Sequence, residues 1–331
     1  MWEQVLGHEK NKAFLQRLLQ PGNRPHALLF YGAEGIGKKL LAQHFAKTLL
    51  CLAPAQRPCG TCEACRLLDF AGSSWGHPDF IYVEPEAAGK DIKIEQIKDI
   101  IKEAAFPPVL SANKLVLIDN ADYLTEEAAN SLLKLLEEPP ADWMFILVAA
   151  KVERLLPTIL SRVIQVRFQR PTEAQCVEFL HSRGLTDRAE VLIGLAQGSP
   201  GRALTLQAAD IFAYREEALA FLKELPLFTP LNYLAKQAWI EKIDKVKGLL
   251  FAEMLTVLLQ DLLLQRCGAG EQLINIDVKP ALLELGRGWS LSNLRAAVQE
   301  ADAAHQAIAK NVAAKTVLEA MALKLNTLRR E

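Results

Sequence analysis

The sequence predicts an α/β P-loop module, a parallel sheet with helices on both faces, followed by an all-helical C-terminal region. Three observations carry this expectation. Residues 25–49 read as strand, glycine loop and helix in immediate succession. Apolar runs of strand length then alternate with segments of helical periodicity as far as about residue 169. Beyond about residue 207 only helical patterns remain.

Composition bounds the rest. The 331 residues suffice for two or three domains, and half of them are apolar, so a large core can be buried. A net charge of −1 excludes a chain that binds polyanions along its whole length, though not a local basic patch. The longest apolar region, Gly248 to Leu264, is interrupted by Glu253, Gln260 and Asp261 and reads as a buried helix rather than a bilayer span. Four of the six cysteines are clustered, which suggests a metal rather than disulfides. The N-terminal residues lack a basic-then-apolar signal pattern, and the expectation is a soluble cytoplasmic protein.

Taken in order, Trp2 to Leu19 is an entry segment and a helix carrying Phe14, Leu15, Leu18 and Leu19, ended by Pro21, Gly22 and Pro25. Ala27 to Tyr31 is a strand. Gly32, Gly35 and Gly37 allow a tight wrap, and a helix with Leu41, Phe45 and Leu49 on one face follows. Gly32-x4-Gly37-Lys38 matches a phosphate-binding loop up to its last position. There the motif requires a Ser or Thr hydroxyl for Mg²⁺, and this chain has Lys39. A glycine-rich loop can also be an ordinary tight turn; the strand before it and the helix after it favour the phosphate cradle.

Cys51, Cys59, Cys62 and Cys65 come next. Two successive C-x2-C steps put three thiolates on one tight turn, and Cys51 completes a tetrahedral set suited to a closed, structural zinc site. The alternatives are unliganded reduced thiols, or His77 as a replacement ligand. Isolated Cys176 and Cys267 are expected in the core.

Asp79 to Pro85 contains a strand, and Ile94, Ile97 and Ile101 mark a helix. Lys114 to Ile118 is a buried-strand run ending at Asp119, where a Walker B aspartate would hold Mg²⁺. An Asp119-Asn120 turn or cap is the alternative. Thr125 caps a helix whose buried face is Ala129, Leu132, Leu133 and Leu136, ended by Glu137-Glu-Pro-Pro140. Met144 to Ala149 and Val163 to Phe168 are strands on either side of Pro157 to Arg162. From Pro171 the composition changes. Small helices with a turn at Gly198 to Gly201 lead into longer helices punctuated at Pro226, Pro230, Pro280 and Gly286 to Gly288. The last two, near Ser292–Lys310 and Asn311–Leu328, suit either simple bundle packing or an oligomer interface.

In their order, the loop at Gly32 to Lys38, the four-cysteine insert, Asp119-Asn-Ala-Asp122, the Asn130-Ser-Leu-Leu-Lys-Leu-Leu-Glu-Glu-Pro-Pro140 helix and Ser161-Arg162 identify a family. Across its whole length the chain resembles the delta-prime subunits of bacterial DNA polymerase III clamp loaders, which are AAA+ proteins. The resemblance implies an AAA+ module over residues 1–169 with a zinc insert at 51–65, a helical lid at 170–207, and a collar domain at 208–331. It implies a five-subunit ring with tau/gamma and delta subunits, acting on the sliding clamp and primer-template DNA through the complex, with no membrane. It implies that tau/gamma hydrolyses ATP while this chain supplies an arginine in trans. The family's Ser-Arg-Cys motif reads Ser161-Arg162-Val163 here, so the cysteine is lost and the arginine kept.

Departures from an active ATPase accumulate. Lys39 replaces the metal-binding hydroxyl, and Asn120 stands where a water-activating acid belongs. Ala149 falls near a γ-phosphate sensor, and Gly201, with Arg202 next to it, falls where a sensor arginine would sit. The expectation is a degenerate nucleotide site of Gly32, Gly35, Gly37, Lys38 and Asp119, with weak or absent ATP binding and no hydrolysis by this chain. The alternative is an active tau/gamma-like motor. A stand-alone zinc-dependent DNA-binding protein is disfavoured, because Cys59 to Leu68 carries only Arg66 as a base.

Overall fold

A computed structural model describes residues 2, 5–20, 22, 24–70, 75–87, 89–225 and 243–330. The chain forms two compact units, residues 1–179 with 198–201, and residues 180–197 with 202–331.

The first unit begins with α1 (Glu9–Leu18), β1 (Ala27–Tyr31), α2 (Lys38–Leu49) and the short α3 (Glu63–Leu67). Then come β2 (Phe80–Val83), α4 (Ile94–Glu103), β3 (Lys114–Ile118) and α5 (Glu126–Glu137). It continues through β4 (Trp143–Ala149), α6 (Pro157–Leu160), β5 (Ile164–Arg167) and most of α7 (Glu173–Ser182). The sheet order is β2-β3-β4-β1-β5, with every pairing parallel. Parallel strands need crossover connections, and those crossovers cover both faces of the sheet.

The side-chain alternation of the strands shows the two layers directly. Leu28 and Phe30 of β1, Leu115 and Leu117 of β3, and Met144, Ile146 and Val148 of β4 pack with Leu15 of α1 and Leu41, Phe45 and Leu49 of α2. The intervening residues, Ala27 and Leu29, Val116 and Ile118, and Phe145 and Leu147, pack with Ile97 of α4, Leu132 and Leu136 of α5 and Ile159 of α6. Thr125 accepts a hydrogen bond from the Ala128 N–H, so α5 starts at the expected cap. On α4, Ile100 is buried and Ile101 exposed, one position off the expected stripe.

In the second unit α8 (Ala189–Leu195), most of α9 (Pro200–Ala208) and α10 (Ile211–Glu224) precede α11 (Lys245–Arg266). They are followed by α12 (Lys279–Gly286), α13 (Leu291–Ala309) and α14 (Ala314–Arg330). The long α11 is the hub, packing against α10, α12, α13 and α14. Its Asp261 is buried, so α11 is the core helix its interrupted apolar run implied. No described helix is long and apolar enough to cross a membrane.

Pro280 punctuates the helices as expected, in the first turn of α12, where its missing N–H costs nothing. Two local expectations change. The turn at Gly198 to Gly201 is shorter than expected, because α9 already begins at Pro200. Cys267 is exposed at the end of α11 rather than buried, whereas Cys176 is buried as expected. Pro21, Pro226 and Pro230 lie outside the described residues.

Candidate functional site

The glycine loop joins β1 to α2 at the carboxyl edge of the sheet. Gly32 has φ of +144°, and a Cβ there would come within 2.4 Å of the Phe168 carbonyl oxygen, so this position accepts only glycine. The loop is held by the chain's own donors. Lys38 Nζ donates to the carbonyls of Gly32 (2.7 Å) and Ala33 (2.6 Å). Ser199 Oγ donates to the Glu34 carbonyl, and the Gly201 N–H donates to that of Gly35 at 2.9 Å. His8 Nε2 lies 2.8 Å from the Ile36 carbonyl. A carbonyl can only accept, so Nε2 carries the proton. Burial lowers the His8 pKa, which fits a neutral ring.

Gly201 has a steric role here. A Cβ on it would lie 2.7 Å from the Gly35 oxygen. Burial also lowers the Lys38 pKa, opposed by the nearby Asp119 carboxylate.

Asp119 sits one residue beyond β3 and is buried. Its Oδ1 accepts from the Asn120 N–H at 3.0 Å, and Asn120 adopts a left-handed φ of +53°. Its Oδ2 lies 3.1 Å from Lys39 Nζ. Two neighbours were not anticipated. Val83 and Ile118 are register partners, so the next residues, Glu84 and Asp119, come side by side. Tyr82 Oη donates to Glu84 Oε2 at 2.5 Å and lies 3.2 Å from Asp119 Oδ2. Burial, then the hydrogen bond to Glu84, raises the Tyr82 pKa. The available signal was two adjacent parallel strands each followed by an acid. Ala149 ends β4, and the N–H groups of Ala150 and Lys151 just beyond it donate to Asp122 at 3.2 Å each.

The four cysteines converge. The sulfurs of Cys51, Cys59, Cys62 and Cys65 all lie within 4.8 Å of one another, and Cys51 and Cys62 are 3.9 Å apart. Tetrahedral zinc with bonds of about 2.3 Å places its sulfurs roughly 3.8 Å apart. The set therefore could hold a metal ion such as zinc, with the widest pair closing by about 1 Å. Backbone N–H groups point at the sulfurs: Cys59 to Cys51 (3.4 Å), Cys62 to Cys59 (3.3 Å) and Cys65 to Cys62 (3.4 Å). Such donors stabilise thiolates, and those of Cys62 and Thr61 bring Cys59 down to about 6. Burial pushes Cys65 up to about 12, so its thiolate needs a nearby cation.

His77 is not a fifth candidate. Its Nδ1 accepts from the Asp79 N–H at 3.0 Å, and its Nε2 lies 3.3 Å from Ser111 Oγ, which itself donates to the Leu50 carbonyl. Both ring nitrogens are committed to folding the segment before β2.

Arg162 follows α6. It is ion-paired through Nη2 to Glu137 at the end of α5, and its Nη1 donates to the Thr158 carbonyl (2.8 Å) and to Ser161 Oγ (3.1 Å). Its side chain is one-third exposed. Ser161 Oγ donates in turn to the Thr158 carbonyl, so it helps set the guanidinium's orientation. Arg202, beside Gly201, pairs with Glu253.

A family model described as DNA polymerase III, delta subunit, matches residues 7–172, half of the chain. The DNA polymerase III subunit delta' of Pseudomonas aeruginosa is 40% identical over 60% of this chain and 61% of its own, so the match spans under two-thirds of that relative. The subunit delta' of Escherichia coli is 33% identical over 84% of this chain and 81% of its own. A DNA polymerase III subunit tau/gamma, from Haemophilus influenzae, is 34% identical over 53% of this chain but only 25% of its own.

Proposed function

The chain belongs to the family of DNA polymerase III delta-prime subunits, and from that membership we propose that it acts as a non-hydrolysing clamp-loader subunit that lends Arg162 to a neighbouring ATPase subunit. The reading includes the division into an AAA+ module (1–169), a lid (170–207) and a collar (208–331). Its partners would be tau/gamma and delta subunits, with the sliding clamp and primer-template DNA engaged through the complex.

The observation that carries the non-hydrolysing half is the state of Asp119. The residue that would ligate a nucleotide-bound metal is instead salt-bridged to Lys39. Phosphoryl transfer in such sites also needs a group to orient or deprotonate the attacking water. At the following position Asn120 can orient water but cannot accept its proton. Gly32, Gly35, Gly37 and Lys38 keep the shape of a phosphate cradle, which leaves weak nucleotide binding within the proposal.

The interfacial half rests on Arg162. A finger must present a charged guanidinium at the surface with its aim fixed beforehand. The Glu137 pair, the Thr158 carbonyl and Ser161 supply that fixing, while the side chain stays partly exposed. In the neighbouring site it would stabilise charge on the transferred phosphoryl group, an effect worth about 10³–10⁵ in rate.

The Cys51, Cys59, Cys62 and Cys65 set is proposed as a structural zinc site. Its residues fit the ion, with four sulfurs, close spacing and inward N–H donors. Four sulfurs fill a tetrahedral shell, so the role proposed for the ion is structural rather than catalytic.

The test is a reconstituted ring containing Arg162→Ala. The variant should keep its fold, because it removes an exposed pair. The ATPase site facing it should lose about a thousand-fold or more in turnover. Unchanged ATPase in that ring would remove the finger assignment. Robust ATP turnover by the isolated native chain, abolished in Lys38→Ala, would instead restore a motor of the tau/gamma kind.

A further inference from the structure

We propose that Lys39 is a tethered cation standing in for the divalent metal at the carboxyl ends of β2 and β3, so that this phosphate loop excludes Mg²⁺.

Lys39 occupies the position where a phosphate-binding loop places its metal-ligating hydroxyl. In place of an oxygen it sends an ammonium across the site. Nζ lies 3.1 Å from Asp119 Oδ2 and 3.4 Å from Glu84 Oε2. It also lies over the Tyr82 ring, 4.8 Å from its centroid, and 5.7 Å from that of Trp75. Two carboxylates and two aromatic faces thus converge on one ammonium. Each is a group that attracts a cation.

The parallel register explains why a cation is required there. It sets Glu84 beside Asp119, and Tyr82 Oη lies within reach of both carboxylates. Two like charges held this close destabilise one another unless a positive charge lies between them. Active phosphate-loop enzymes meet that requirement with Mg²⁺, which demands oxygen ligands at about 2.0–2.1 Å in an octahedron. Lys39 meets it permanently. The ammonium holds the oxygen a metal would take, removes the hydroxyl a metal would need, and repels a second cation. The residues present therefore do not fit Mg²⁺.

The metal exclusion rests on the same Lys39–Asp119 pair as the non-hydrolysing reading, but Mn²⁺ binding and ATP turnover are separate readouts, so either can fail while the other holds. The exclusion does not depend on Arg162 or on assembly into a ring, so its failure and that of the finger assignment are separately visible.

The test measures Mn²⁺ binding to the full-length chain by the electron paramagnetic resonance signal of free Mn²⁺, with and without ATP. Mn²⁺ is a hard cation that the four thiolates do not favour. The native chain should deplete no stoichiometric Mn²⁺ in either condition. Lys39→Met removes the ammonium from both carboxylates and should raise Mn²⁺ affinity by at least about tenfold. Lys39→Thr, which also supplies the hydroxyl, should do so most clearly with ATP present. Lys39→Arg keeps the charge and should behave as the native chain, which separates charge from shape. The proposal is overturned if the native chain binds Mn²⁺ and ATP together through Asp119, with binding lost in Asp119→Asn. It is equally overturned if neither uncharged variant gains affinity, or if Lys39→Arg gains as much as Lys39→Met.

Discussion

Asp79 is fully buried, and its carboxylate accepts from three consecutive backbone N–H groups, those of Val109 (2.6 Å), Leu110 (2.8 Å) and Ser111 (2.6 Å). The loop before β3 passes from the exposed Val109 to the buried Ser111, whose N–H would otherwise be an orphan donor. Val109 is exposed and Leu110 half-buried, so Asp79→Ala leaves only the Ser111 N–H wholly in the interior, and a buried unpaired donor costs about 1–3 kcal/mol. Asp79→Ala is expected to lower unfolding stability by roughly 2–3 kcal/mol in urea titration. Asp79→Asn, which keeps an acceptor oxygen, should cost less. A loss below about 1 kcal/mol would mean that the loop finds other partners. None of this was legible in the sequence, where Asp79 looks like a strand-edge residue. The partners lie some 30 positions away, so only the folded register supplies them. Lys39 is the converse case. Its identity already ruled out a metal-ligating oxygen, but its pairing with Asp119 and Glu84 required the sheet.

The cysteine insert is the element most fully written in sequence. Its spacing alone proposed a four-sulfur site, and the structure gathers the same four residues. The reason is local. Cys62 is the N-cap of α3 and its sulfur accepts from the Cys65 N–H, so three of the four cysteines belong to one turn and the start of one helix. That capping role also sharpens a test. Ser caps helices as well as any residue, so Cys62→Ser keeps the cap while removing a ligand. Metal analysis should find about one zinc per native chain and little in Cys62→Ser, with faster proteolysis within residues 51–65. A well-folded native protein free of metal would refute the site. His77, by contrast, was legible only as a ring with two nitrogens. Asp79 and Ser111 decide how both are used.

At the scale of the whole molecule, the two units each have their own polar anchor as well as their own core. In the helical unit the Arg215 side chain is wholly buried and forms two 2.8 Å hydrogen bonds with Asp277. Nearby Asp261 accepts from the backbone N–H groups of Ile274 and Asn275 and from the Asn275 side chain. Arg215 is buried but Asp277 is exposed, and Asn275 and Glu216 also reach the guanidinium, so losing the Asp277 carboxylate costs a charged hydrogen bond rather than stranding a charge. Asp277→Ala should therefore lower the unfolding transition of the helical unit by about 1–3 kcal/mol while leaving any bound zinc unchanged. Loss of zinc in that variant would show that the two units do not hold their structures separately. Apolar helical periodicity announced this unit, but it did not reveal α11 as the hub, since α11 is apolar around most of its circumference. Its neighbours are set by packing, which no single helix encodes.

By itself the sequence determined the order of strands and helices, the phosphate-loop outline, the four-cysteine set and the missing hydroxyl. These are properties of residues close in the chain, where backbone sterics and side-chain period act directly. Tertiary structure alone decided that Lys39 turns onto Asp119 and onto Glu84, 45 residues away. It also decided that Ser199, 165 residues on, closes onto the loop at Glu34. Such pairings depend on strand register and on which groups burial leaves short of a partner, and both are settled only when the whole sheet forms.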